Sequence, residues 1–245
     1  MTIQDPTLWW RPTTSNSKTG PIPTAYVRKD KAEDSCTGCP MFRKRCYAWR
    51  GYVRRGLTSM AKAQPRNPNL YRVRAALMGR QFAARYARLT AIGDPTGAPV
   101  AELQDAIAAI QEAGLEVIGY TSQWKRRPAY RWLRSHLLAS TVTDGQTATA
   151  IDDGWKVSQV VSADRFIDAL STGHLTTREG YRLRLCPNMS AHYRRTVAPT
   201  CNDCGQCTVR SMTEDGYHGV AFPEHGPTAT GRPWTLAVRA QEASR

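Results

Sequence analysis

Long apolar runs are missing from this chain. None of its stretches reaches the eighteen or so consecutive apolar residues that a membrane-spanning helix needs. The N-terminal stretch from Met1 to Pro6 also lacks the basic region followed by an apolar one that marks a secretory leader. These two absences lead us to expect a cytoplasmic protein. Acidic residues are scarce as well, with 20 Asp and Glu against 34 Lys and Arg for a net charge of +14. Apolar residues are not: at 41% hydrophobic and 245 residues the chain can bury a full core, which argues against disorder over most of its length.

The shortage of acid is local. Residues 1–88 hold four Asp/Glu and 18 Lys/Arg, whereas residues 89–245 hold 16 of each, so the whole excess lies in the first third. Arginine dominates it, and a guanidinium binds phosphate through two donors at once. The spacing predicts helices over 45–62 and 68–86 with arginine faces. Along them Arg43, Lys44, Arg45, Arg50, Arg54, Arg55, Arg72 and Arg80 alternate with Tyr47, Trp49, Tyr52, Tyr71 and Tyr86, which are suited to stacking on bases. DNA is the expected partner; a solvated face or an acidic protein partner is the alternative.

The seven cysteines fall into two groups. Cys201, Cys204 and Cys207 follow one another at CxxC spacing, with Cys186 fifteen residues upstream, and four sulfurs close a tetrahedral Zn²⁺ shell of the structural type. In a reducing compartment disulfides are disfavoured, and an iron–sulfur cluster would use the same ligands. The second group, Cys36, Cys39 and Cys46, lacks an obvious fourth ligand. It is open to three readings: a metal completed by another group, a cluster with one open iron, or buried thiols.

Residues 1–19 read as an arm whose Trp9–Trp10 pair docks on the body of the protein, and residues 20–28 as a short edge strand. From residue 87 onward strands alternate with helices: strands at 87–94, 115–121, 137–143, 156–161 and 181–186, a further one at 219–222, and helices at 99–113, 128–135 and 146–153. Strands joined by crossover helices pair in parallel. The expected architecture is therefore α/β, an irregular or incomplete (β/α) TIM-barrel-like fold. A single domain over 20–225 would carry a basic, cysteine-containing insertion at 29–86 and a zinc-binding element at 186–207, with residues 226–245 as a tail.

Parallel strands gather the polar residues at their C-terminal ends on one rim. Asp94, between Gly93 and Pro95, is the candidate catalytic carboxylate there, either a nucleophile or base or else a turn aspartate holding its own backbone. Asp164 is the candidate second carboxylate, and Thr121, Ser122, Gln123 and Asp144 are candidate substrate-binding groups.

Taken together, the βα series, the Gly-Asp ending an early strand, the closing cysteine cluster and the basic face resemble the tRNA-guanine transglycosylase superfamily, most closely its compact phage branch of DpdA-type DNA-guanine transglycosylases. The superfamily's zinc motif generally uses three cysteines and a histidine, and here a fourth cysteine stands in the histidine's place. The resemblance implies exchange of guanine in DNA for a 7-deazaguanine base such as 7-cyano-7-deazaguanine (preQ0). Asp94 would be the nucleophile or base, Asp164 the second carboxylate, and zinc structural. Two other readings stay open: a zinc-stabilised DNA-binding or replication accessory protein without catalysis, and an iron–sulfur nucleic-acid enzyme.

Overall fold

The computed structural model describes residues 7–11, 18–27, 29–42, 46, 83–194 and 196–224. The basic residues Arg43, Lys44, Arg45, Arg50, Arg54, Arg55, Arg72 and Arg80, and all of the two predicted helices but Cys46 and residues 83–86, lie outside these. The elements in chain order are β1 (Leu8–Arg11), β2 (Thr24–Val27), α1 (Lys29–Cys36), β3 (Tyr86–Arg88), α2 (Val100–Glu112), β4 (Glu116–Ile118), β5 (Tyr120–Thr121), β6 (Leu138–Thr141), α3 (Asp144–Asp152), β7 (Val157–Val161), α4 (Ala163–Asp168), β8 (His174–Thr176), β9 (Arg182–Leu185), α5 (Pro187–Tyr193), α6 (Cys201–Cys204), α7 (Val209–Glu214) and β10 (Gly219–Pro223).

Local chemistry explains these boundaries. In α2, Leu103, Ala106, Ile107 and Ile110 recur at three- and four-residue intervals and form its buried stripe, and the chain turns out of the helix at Gly114, whose φ of 73° suits glycine. The Thr143 side chain accepts from the Gln146 N–H to cap α3, and Ser162 does the same for α4 from Arg165. The β-branched run of β7 suits a strand covered on both faces.

The strands form two sheets, ordered β1-β2-β3-β4 and β5-β6-β7-β10-β9-β8. Every pairing is parallel except the edge pairs β1–β2 and β8–β9. The fold class is thus α/β with a parallel sheet. Among the described residues β1 and β8 are outer edges, so the strands form open sheets with no closed ring. Strand β10 returns between β7 and β9, and the crossover leading to it carries Cys186, Cys201, Cys204 and Cys207.

Only Gly119 separates β4 from β5, and the two sheets meet there: the Leu138 N–H donates to the Gly119 carbonyl at 3.1 Å, beside Leu89 donating to Ile118 at 2.8 Å. A side chain at 119 would run into the Leu89 carbonyl, so glycine is needed for the close approach of the backbones.

Alternation along the strands divides two faces. Ala87, Val117, Ala139, Val157, Leu183 and Ala221 pack with Leu103, Ile107 and Ile110 of α2 and Phe166 of α4 in the main core. Their neighbours Tyr86, Ile118, Leu138 and Val220 face the other way and pack against the cysteine-bearing crossover.

The strand expectations at 115–121, 137–143, 156–161, 181–186 and 219–222 coincide with β4/β5, β6, β7, β9 and β10. Five features differ. Thr24–Val27, within the expected edge strand at 20–28, is an interior strand paired with both β1 and β3, and the strand expected over 87–94 ends at Arg88. The predicted helix over 68–86 ends on residues that are not helical, since Tyr86 begins β3 with a 7% exposed side chain that is not free to stack on bases. Leu8–Arg11, read as part of an arm, is an edge strand with both tryptophans buried. The antiparallel strand β8 falls in Gly173–Thr176, whose lack of an apolar alternation hides it from pattern reading.

Replacing Gly119 by alanine is expected to lower unfolding free energy by about 1–3 kcal/mol through overpacking against the Leu89 carbonyl. Urea denaturation of the Gly119→Ala protein checks this.

Candidate functional site

Asp94 lies just after β3, where the chain turns at Gly93 (φ 78°) into a short 3₁₀ turn at Pro95–Gly97. Its carboxylate is 5% exposed and fully engaged. Oδ1 accepts from the Thr96 N–H at 3.1 Å, the Thr96 hydroxyl at 2.8 Å and the Thr121 hydroxyl at 2.9 Å. Oδ2 accepts from the Ser122 N–H at 2.6 Å and the Ser122 hydroxyl at 3.0 Å, with the Thr121 hydroxyl at 3.2 Å. Burial pushes this carboxyl's pKa up, and the bonds from Thr96, Ser122 and Thr121 oppose the rise. Asp94 therefore ties the loop after β3 to the end of β5.

The same cluster holds the first cysteine group. The Asp94 N–H donates to the Ser35 hydroxyl at 3.0 Å, and the Gln123 amide donates to the Ser35 carbonyl at 3.1 Å and the Thr37 carbonyl at 2.8 Å. Gln123, a candidate base reader, is thus turned inward onto the Cys36 turn. The Cys36 thiol is pushed up to about 11 by burial and by the negative charge of Asp94, Cys39 and Cys46, against a hydrogen bond with Ser35.

Asp144 sits in a second cluster. Arg165 grips it with two donors at 2.6 and 2.8 Å, and the Gln159 amide and Arg178 N–H add bonds at 2.8 and 2.9 Å. Burial works to raise this carboxyl, but the Arg165, Gln159 and Arg178 bonds and the Arg165 charge prevail and hold it at about 2. It clasps α3, α4 and the 177–178 turn, leaving little capacity for a substrate. Asp164 is exposed at the start of α4, and its carboxylate makes no hydrogen bond or ion pair among the described residues. In strand order it lies three positions from Asp94, so the structure does not bring the two together as an acid–base pair.

The second cysteine group is assembled from the β9-to-β10 crossover. Cys186 directly follows β9, Cys201 and Cys204 lie on α6, and Cys207 follows the left-handed Gly205. A capping box between Thr200 and Asp203 starts α6. The Cys201 and Asn202 N–H groups donate to the Lys18 and Thr19 carbonyls at 3.0 and 3.2 Å, which fixes the element to the N-terminal segment. Cys201 and Cys207 pack with Ile22, Tyr86 and Ile118, and Cys186 and Cys207 with Leu138, Met212 and Val220.

Burial raises all four thiols, Cys186 to about 12; the negative charges of neighbouring cysteines add to the rise at Cys186, Cys201 and Cys207, and that of Asp203 at Cys204. Backbone N–H groups of Met189 and Asn188 bond the Cys186 sulfur, and that of Gln206 bonds the Cys204 sulfur. Such donors favour the thiolate form that a cation requires. Among the described residues no three His, Cys, Asp or Glu side chains already stand in metal-holding geometry. The fit to a metal rests on the donor set itself: four mutually coupled sulfurs on one crossover, with N–H groups aimed at two of them.

Of the predicted site residues, Asp94, Thr121, Ser122 and Gln123 form one hydrogen-bonded unit, and Asp144 belongs to another. Sequence reasoning missed Ser35, which joins Asp94 to the cysteine turn, and Arg126, whose guanidinium fills the space beside Gly38. Only the adjacency of Ser35 to Cys36 hinted at the first. No protein-family model, curated protein or solved structure matches the chain.

The depressed Asp144 pKa gives a signed pH dependence. Its stabilising contribution is full above the ordinary aspartate value of about 4 and is lost as pH falls toward about 2. Asp144→Asn is expected to cost about 1–3 kcal/mol at pH 7 and to flatten the loss of stability over that acid window, as read by urea unfolding at pH 7, 4 and 2.5.

Proposed function

We propose that the protein is a DNA-modifying enzyme that works from the carboxyl-terminal rim of its parallel strands, with Cys186, Cys201, Cys204 and Cys207 as a structural zinc centre. The observation that carries the reading is a single buried carboxylate, Asp94, fixed where the loops after β3 and β5 cross. Loops at this end of a parallel sheet are where α/β enzymes keep their reacting groups. The reaction is the one implied by the likeness to guanine transglycosylases, exchange of guanine in DNA for a 7-deazaguanine such as preQ0.

In that scheme one Asp94 oxygen forms a bond to C1′ of a deoxyguanosine as the C1′–N9 bond breaks, and guanine leaves as its anion and takes up a proton from solvent, which the N9 proton of the incoming base later replaces. The incoming base loses its N9 proton, bonds to C1′ and frees the carboxylate. Oδ2 is the oxygen suited to attack, because the half-buried Ser122 hydroxyl that it holds can turn toward the substrate. The Ser122 N–H stays on that oxygen as it is released. The basic first third would track the phosphates while the target nucleotide leaves the stack.

A second reading, a zinc-stabilised DNA-binding protein without catalysis, is favoured by the commitment of the rim carboxylates: Asp94 to Thr96, Thr121 and Ser122, and Asp144 to Arg165. Incubation with DNA and labelled guanine separates the two. The wild type is expected to incorporate label, and Asp94→Asn to reduce incorporation by about 10³-fold or more; because the Asn amide leaves one of the Thr96 and Ser122 N–H donors unpaired, DNA binding by the variant is measured alongside, and retained binding separates lost chemistry from lost structure. Salt-dependent DNA binding with no incorporation by the wild type would leave the binding reading in its place.

A further inference from the structure

The turn bearing Cys36 and Cys39 is hydrogen-bonded into the rim. The Cys39 N–H donates to the Cys36 carbonyl at 3.0 Å, Phe42 to Cys39 at 3.0 Å, and Cys46 to Met41 at 2.9 Å, which ties the third cysteine to the turn. Cys46 packs with Ile92, Tyr26 and Ala91, next to the Asp94 loop. All three cysteines are half-buried. Gln123 clasps the carbonyls on both sides of Cys36, and the fully buried Ser35 anchors the Asp94 backbone.

Two further features bear on what the turn holds. Gly38 adopts a φ of 84°, and a side chain there would collide with the guanidinium of Arg126. Arg126 therefore places a fixed positive charge against the turn, suited to balancing the excess negative charge of three thiolates around a divalent ion or cluster. Asp94 is near enough to act on Cys36 electrostatically, and with its oxygens turned to Thr96, Thr121 and Ser122 in the resting state it is not a fourth ligand. The turn itself supplies no further cysteine or histidine.

We infer that Cys36, Cys39 and Cys46 hold a thiolate-bound metal centre with one open coordination position on the rim, distinct from the closed four-cysteine set. Three thiolates leave one tetrahedral position of zinc free, or one iron of a cluster uncapped. That position takes an oxygen or nitrogen donor, from water or from a substrate. The four-cysteine set supplies every ligand a structural ion needs, so an exchangeable ligand belongs at the three-cysteine set. The inference does not depend on base exchange.

The test uses the full chain purified without oxygen. Zinc, iron and acid-labile sulfide are measured per chain in the wild type and in a Cys201→Ser/Cys204→Ser protein. Two centres in the wild type and one in the variant are expected; iron with sulfide identifies a cluster, and zinc without sulfide a single ion. Iodoacetamide labelling of the wild type, mapped by mass spectrometry, guards against a variant that fails to fold. Cys36, Cys39 and Cys46 are expected to label at least about tenfold faster after chelation. Added cyanide or imidazole is expected to shift the electronic spectrum of the iron or cobalt-substituted centre that remains in the variant. A single centre per wild-type chain, equal labelling with and without chelator, or a spectrum indifferent to added ligand would overturn the proposal. None of these readouts uses base exchange, so failure here is distinguishable from failure of the exchange reaction.

Discussion

The rim depends on one carboxylate. Asp94 is removed from water, and a charge there is tolerable only because hydroxyl and N–H donors from three residues surround it. Those donors come from its own 3₁₀ turn and from the residues at and after β5, and its N–H reaches Ser35 at the end of α1. One group thus fixes the loops that follow three neighbouring positions of the sheet. Each bond is modest alone, but loss of the acceptor would strand several buried donors at once, which is the costly event in a low-dielectric setting.

The fold around this point is an economical arrangement of two faces. Apolar residues on one side of the strands meet α2 and α4, and those on the other side meet the cysteine-bearing crossover. The crossover has little regular structure of its own: α6 spans Cys201–Cys204 only. Its order comes from the Thr200–Asp203 box, from backbone bonds to Lys18 and Thr19, and from Asn202, whose side chain accepts from the Arg85 N–H and donates to the Ala83 carbonyl. A metal bound by the four sulfurs would add to an element that the chain already holds in place.

The two cysteine groups differ in a way that spacing alone does not reveal. Cys186, Cys201, Cys204 and Cys207 lie within one crossover against the sheet face, and Tyr120 bonds Cys207 from that face. Cys36, Cys39 and Cys46 lie at the rim, next to Asp94 and under the Gln123 clasp. The first arrangement suits stability, and the second suits chemistry.

Local pattern determined a good deal. The 3.6-residue recurrence of Leu103, Ile107 and Ile110 marks α2, the β-branched run of Val157, Val160 and Val161 marks β7, and the Gly93–Asp94–Pro95 turn is readable because glycine and proline act on their own backbone. The cysteine spacings likewise needed no fold. What the sequence could not determine is partnership across long separations. Asp94 meets Ser122 28 residues away, and Gln123 meets Ser35 88 residues away. Leu8–Arg11 becomes a strand only because β2 offers it an edge, and Asp144 turns from a candidate substrate group into a clasp because Arg165 lies opposite. Such contacts depend on which strands become neighbours, and that is decided by burial of the whole sheet.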